Sequence, residues 1–306
     1  MSGFQVAEPP KVCMIGCHEF GGYLIPRLIE KGLRFSHFFT ISPQQATNAK
    51  VSGYHDFTEL SKKHNIPLTF AKNYSLETRE DRNFFESENF DLVIQGGWQR
   101  LLPDYLLKTL RIGSIGVHGS PDFLPKGRGR SPKNWSIIHG RKRFILHLFL
   151  MNQGADDGAV FDYETFDINE FDDINTLYYK NVLAQEIMLE RSFIPLISGN
   201  IKFTEQLGKP DYFPKRSEED GWFDFESCDV FEIHNLIRAQ TKPYPGAFCD
   251  IEELGRVRIW KAQIFDTRLK FPTKKYGSVV AEFGDRLVLN CRGGLLLINE
   301  FEKLRR

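Results

Sequence analysis

The chain has 306 residues, 41% of them hydrophobic, and 25 glycines, a length for roughly two domains and a composition that excludes a disordered or fibrous protein. Forty basic residues balance forty acidic ones, which argues against a dedicated nucleic-acid binder and its clustered basic surface. Five scattered cysteines (Cys13, Cys17, Cys228, Cys249, Cys291) form no C-x-x-C pair, the pattern of reduced thiols in a cytosolic protein. The start, MSGFQVAEPPK, has no apolar h-region, and no stretch reaches bilayer-spanning length, so a soluble cytoplasmic protein without a membrane partner is expected.

After a polar leader ending at Pro9-Pro10, VCMIG at Val12–Gly16 reads as a short buried strand. Residues 18–32 carry Leu24, Leu28 and Ile29 at helical spacing and stop at Gly32. A second strand is predicted over 35–41, a short helix over 58–64, a strand entry at 66–68, a helical turn over 84–90 and a buried strand over 91–95. This alternation predicts a parallel sheet with helices on both faces, and ligands bound beyond the carboxyl ends of its strands. A strongly apolar strand follows over 144–151, then a long amphipathic helix over 174–198. Short β-rich runs between Arg256 and Phe301, with turns at Gly284-Asp285 and Gly293-Gly294, have the rhythm of a small antiparallel barrel or sheet. A domain boundary falls between Ser198 and Asp220.

The chemistry gathers in two segments, GVHGSPDFLPKGRGRSPKNW from Gly116 to Trp135 and GADDG from Gly154 to Gly158. Each is read as a loop after an apolar strand. His118 at the mouth of the first and Asp156 on the second make a candidate acid/base pair. Asp157 competes with Asp156, since adjacent aspartates on a loop often only form the turn. Arg128 and Arg130 are either solvated charges or phosphate contacts. His18 reads as a capping residue and Trp98 as packing. Gly21-Gly22 lacks the dinucleotide fingerprint, and His55, His64 and His139 lack metal-ligand spacing, so no metal is expected.

The order of these residues resembles the folate-dependent formyltransferases. Their pattern N-x-H-x-S, L-P, R-G, a proline, a tryptophan at a helix start and D-x-G is matched by His118, Ser120, Leu124-Pro125, Arg128-Gly129-Arg130, Pro132, Asn134-Trp135 and Asp156-Asp157-Gly158. RSEEDGWFDF and HNLIRAQTKPYPGAF are similar to the linker and C-terminal region of sugar-nucleotide N-formyltransferases, those for UDP-4-amino-4-deoxy-L-arabinose in particular. The resemblance implies an α/β fold: a Rossmann-like parallel-sheet formyltransferase domain over 1–205, then a linker and small C-terminal β-rich, OB-like domain over 206–306. It implies formyl transfer from 10-formyltetrahydrofolate to a small amine carried as a nucleotide-linked amino sugar, with His118 and Asp156 catalytic. Gly97, Trp98, Gln99, Arg100, Leu101, Leu102, Gly154 and Ala155 would bind the folate. Gly116, Ser120, Arg128, Arg130, Asn134, Arg238 and Tyr244 would face the substrate.

One residue departs from the pattern. Where the family carries an asparagine that helps the histidine stabilise an oxyanion, this chain has Gly116. Another amide (Gln95, Gln99, Asn134 or Asn152) could replace it, the enzyme could be slow, or the fold could be re-purposed. Pro121-Asp122 also lengthens the loop. Methionyl-tRNA formyl transfer is the alternative activity; the basic residues of Arg256–Arg306 are interleaved with acidic ones, so nucleic acid is not the expected partner. A homodimer is compatible with the sequence.

Overall fold

A computed structural model describes residues 8–51 and 53–304; most of the polar leader lies outside the described residues. In chain order the elements are β1 (Val12–Gly16), α1 (Glu19–Glu30), β2 (His37–Thr40), α2 (Pro43–Asn48), α3 (Thr58–His64), β3 (Leu68–Phe70), α4 (Arg79–Glu88), β4 (Leu92–Gly96), α5 (Asp104–Thr109) and β5 (Gly113–Ser120). There follow β6 (Arg128–Gly129), α6 (Pro132–Ile138), β7 (Arg143–Leu150), β8 (Val160–Asp167), α7 (Ile174–Ile197) and β9 (Tyr212–Phe213). A 3₁₀ turn at Glu219–Gly221 leads to α8 (Val230–Gln240), β10 (Ala247–Ile251), β11 (Gly255–Asp266), β12 (Val279–Phe283), β13 (Arg286–Cys291) and β14 (Gly294–Lys303).

Two compact units result, Met1–Arg128 with Ile145–Phe166 and Tyr178–Asp211, and Gly129–Phe144 with Asp167–Leu177 and Tyr212–Arg306. A single cut between residues 205 and 206 falls inside the first unit. Its seven-stranded sheet has the order β3-β2-β1-β4-β5-β7-β8. The first five strands pair in parallel, whereas β7 runs antiparallel to β5, with Gly116 opposite Phe149 and His118 opposite His147. Every residue of β1 is buried, as befits a strand covered on both faces. His18 caps α1, its Nδ1 accepting the Phe20 N–H at 3.1 Å. Cys13, Ile15, Phe39, Phe85 and Val93 form the core on one side.

Several elements differ from expectation. Helix α4 starts at Arg79, well before Phe84, because Thr78 caps it by accepting the Asp81 N–H. Helix α2 is short and polar, PQQATN, and rests on a Ser42/Gln45 capping box. The largest correction concerns His118, which lies within β5 rather than on a loop; pairing with β7 keeps the chain extended to Ser120.

In the second unit a five-stranded antiparallel sheet has the order β10-β11-β14-β13-β12. Val230, Ile233 and Ile237 of α8 pack with Val257, Ile259, Leu289 and Leu296 of the sheet. Asp229 starts α8 with a capping box closed by Glu232.

Candidate active site

Strand β5 carries Gly116 and His118 on one face, because alternate residues of a strand point the same way. The His118 ring is held at both nitrogens. Its Nε2–H donates to the Gly127 carbonyl at 2.9 Å, and Nδ1 lies 3.3 Å from Oδ2 of Asp156. Asp156 adopts a left-handed backbone, φ +55°, a conformation that short polar side chains tolerate better than most. Asp157 turns the other way, its carboxyl folding over Gly154 and one oxygen buried without a partner. The geometry therefore pairs His118 with Asp156 and not with its neighbour. The 3.3 Å separation puts the imidazole and the carboxylate within ion-pair reach of each other.

The Asp156 loop is clamped by a residue the sequence did not flag. Gln206 donates through Nε2 to the carbonyls of Asp156 and Gly158, both at 2.8 Å. Its Oε1 accepts from Arg128 at 2.7 and 3.1 Å. Arg128 is buried and hydrogen-bonded to Gln206 rather than a solvated charge. A glutamine in a polar connecting segment carries no periodicity or motif that could have revealed it. His147, opposite His118, carries no sequence signal either: it is 1% exposed, and burial pushes its imidazole pKa down to about 4.

Gly116 is filled from outside. A β-carbon built there falls 2.7 Å from Cζ of Phe149 and 2.8 Å from Cγ of Met151, inside the limit of real carbon contacts. Among the amides considered as substitutes, Gln95 is nearest by register: Ile94 pairs with Ile115, and the next row sets Gln95 beside Gly116 on the His118 face. Among the described residues its Nε2 donates only to the Met151 thioether, at 3.0 Å, a weak acceptor. Gln99 and Asn152 are exposed, and Asn134 spends its amide on the Ala239 carbonyl at 2.7 Å.

The turn after β4 is tied to the sheet. Gly97, at φ +81° where glycine is favoured, accepts the Cys17 N–H. Trp98 is buried, its ring 4.7 Å from Tyr74, and Gln99 N–H donates to the Tyr74 hydroxyl. Arg100 stacks its guanidinium on the same ring at 5.4 Å. Leu102 is buried and Leu101 is 56% exposed. Among the described residues, the main chain of Leu101 and Leu102 makes no protein hydrogen bond. Gly154 and Ala155 lie on the Asp156 loop.

Ser120 is fully buried and its hydroxyl accepts the Asp122 N–H at 3.3 Å; it shapes the turn. In the second unit, Arg238 is buried and donates to the carbonyls of Asn169 and Asp172 at 2.8 and 2.7 Å and to Asn235, a structural clamp. Tyr244 N–H closes a turn onto Thr241, and Arg130 is exposed. Among the described residues no group of three or more His, Cys, Asp or Glu side chains could hold a metal ion, and no helix is long and apolar enough to cross a membrane.

This arrangement has relatives. The bifunctional polymyxin resistance protein ArnA of Wigglesworthia glossinidia brevipalpis is 30% identical over 286 residues, covering 92% of this chain and 41% of that protein. The chain thus spans less than half of that relative. A methionyl-tRNA formyltransferase of Caldanaerobacter subterraneus subsp. tengcongensis is 27% identical over 295 residues, 96% of this chain and 92% of that protein. An N-formyltransferase of Helicobacter canadensis, solved with folinic acid and dTDP-3-aminofucose, shares the fold at a TM-score of 0.68 and 15% identity over 96% of this chain and 100% of that one. The sequence pattern named Formyl transferase matches residues 24–191, more than half of the chain, and that of the Formyl transferase C-terminal domain matches 215–305. The chain belongs to the formyl transferase family.

Proposed function

We propose that the protein transfers the formyl group of 10-formyltetrahydrofolate to the amine of a nucleotide-linked amino sugar, with residues 1–205 carrying the chemistry. The observation that carries this reading is the His118–Asp156 pair, locked by Gly127 and Gln206. The turn after β4 fits a folate: Leu101 and Leu102 offer main-chain groups with no protein partner, next to an exposed apolar side chain, as recognition of a flat polar heterocycle requires. Residues of this turn and of the Asp156 loop would hold the folate, which when bound supplies the formyl carbon as electrophile.

The protein's own part is proton and charge handling. The Nε2–H bond to Gly127 fixes the ring, so the vacant position is Nδ1, facing Asp156. The pair takes the proton released by the attacking amine and becomes an ion pair, each partner stabilising the other. Oxyanion stabilisation then needs a donor that Gly116 cannot provide from a side chain. Gln95 is the residue for that role, because its amide spends its hydrogen on a thioether beside Gly116 and can exchange that poor acceptor for a charged oxygen.

Methionyl-tRNA formyl transfer is the second reading, favoured by the relative matched over nearly its whole length. The two are separated by incubating the protein with 10-formyltetrahydrofolate and either nucleotide-linked amino sugars or charged initiator methionyl-tRNA, following tetrahydrofolate release. Release with an amino sugar and none with the tRNA supports the proposal; the reverse result replaces it with the second reading.

A further inference from the structure

A cavity of about 230 Å³ lies within the first unit, walled by β7, β8, the turn after β5 and the segment 204–206. Its lining includes Phe123, Leu124, His147, Val160, Tyr163 and Gln206. The reacting pair is not part of that lining, yet two of its walls touch the pair's supports. His147 is the cross-strand partner of His118, and Gln206 holds the Asp156 loop through two hydrogen bonds.

His147 gives the cavity its chemistry. The ring is 1% exposed, and neither nitrogen has a hydrogen-bond partner; the main chain of His118 is a polar neighbour that does not meet hydrogen-bond geometry. Burial lowers its proton affinity enough to keep it neutral at pH 7, so it offers one donor and one acceptor, both unused. Buried polar groups are rarely left so. The other walls are aromatic and apolar. Phe123 meets His147 at 5.7 Å and Tyr163 at 5.0 Å between ring centres, at steep angles of 70° and 82°. Phe123 and Tyr163 are 50% and 51% exposed, which leaves two large rings at the mouth. No lysine or arginine lines the space, and Asp162 and Glu205 do, so an anion is disfavoured. Asp162 is itself taken by Arg191 at 2.7 Å.

We propose that this cavity is a binding site for an uncharged aromatic or heteroaromatic ring bearing one hydrogen-bonding group on its edge, the ring packed among Phe123, Leu124, Val160 and Tyr163 and the edge paired with His147. The volume suffices: an apolar cavity of about 150 Å³ accepts benzene. The edge group is what separates this site from a simple apolar void, because His147 rewards only a ligand able to donate to or accept from an imidazole. Through Gln206, an occupied cavity braces the loop that carries Asp156.

The test uses the intact protein labelled with ¹⁵N-histidine, titrated with phenol, uracil and toluene. Phenol or uracil should shift the His147 ring nitrogens saturably, with a Kd of about 1 mM or tighter, and toluene should bind at least about tenfold more weakly. His147→Phe keeps a ring and removes the nitrogens; calorimetry should show at least about a tenfold loss of phenol and uracil affinity. Thr204→Trp, an exposed position at the mouth, should abolish binding in a protein whose sheet is untouched, which keeps the test decisive if His147→Phe misfolds. Absence of a saturable His147 shift with both rings overturns the proposal. So does toluene binding as tightly as phenol, or unchanged affinity in Thr204→Trp.

Discussion

Restoring the family's asparagine by Gly116→Asn should harm this protein rather than help it. The new β-carbon would press on Cε2 of Phe149 and stand 2.7 Å from its Cζ and 2.8 Å from Cγ of Met151, and Phe149 is only 2% exposed, with no room to swing outward. Forcing extra atoms into such a site costs about 1–3 kcal/mol. For a unit of this size, about 2 kcal/mol lowers the melting temperature by roughly 4–8 °C. Phe149→Ala alone costs about 3–5 kcal/mol through the void it leaves. The two changes together should cost less than their sum, with a coupling of about 0.5–3 kcal/mol, because the asparagine enters the vacated space. Thermal unfolding of the four members of this cycle, paired with formyl-transfer rates, reads both quantities. A Gly116→Asn protein that melts with wild type, or turns over faster, would refute the claim that Phe149 occupies the missing side chain's place.

Three further outcomes follow from the site. Gln95→Leu should lower kcat on the order of 10²-fold while KM for the amine stays near wild type, since the donor acts only as charge develops; an equal rate would remove Gln95 from the mechanism. Gln206→Ala removes the hydrogen bonds to the Asp156 and Gly158 carbonyls and those from Arg128, so stability should fall by about 2–4 kcal/mol in denaturant unfolding and the rate should drop with it; a fast, stable variant would show that the clamp is dispensable. His147 has a folded pKa of about 4 against an ordinary 6.5, so between these values the unfolded chain binds more protons. Stability should be fully present above pH 6.5 and decline by on the order of 3 kcal/mol as pH falls to 4, a slope that His147→Phe should flatten. His234 is shifted the same way and leaves a residual slope; identical pH curves for the two proteins would exclude His147 as the source.

Much of the fold was legible because the strands obey simple patterns. VCMIG announces a central parallel strand by being wholly apolar, and the turn-separated β runs after Arg256 announce an antiparallel sheet. Helices α2 and α5 leave no periodic signal in the sequence because each is six residues long. The segment after Gly116 reads as a loop because it is rich in glycine and proline, which are depleted in strands; the apolar partner strand β7, visible in sequence as FILHLFLM, overrides that preference at His118 by pairing. The His118–Asp156 contact could be anticipated from motif order, yet Gln206 and His147 could not. Their roles exist only once segments remote in sequence come together, and no local pattern records that. Arg128, Ser120, Asn134 and Arg238 are buried and hydrogen-bonded within the protein, contacts that composition around a motif does not announce.

The most direct test of the account is tetrahydrofolate release by wild type, His118→Ala and Asp156→Asn, each mixed with 10-formyltetrahydrofolate and a nucleotide-linked amino sugar that wild type formylates. Wild type should turn over at about 1 per second or faster, and each variant should fall by roughly 10²–10⁴-fold with its thermal unfolding retained. Release by either variant at the wild-type rate would contradict the assignment of the proton-accepting pair.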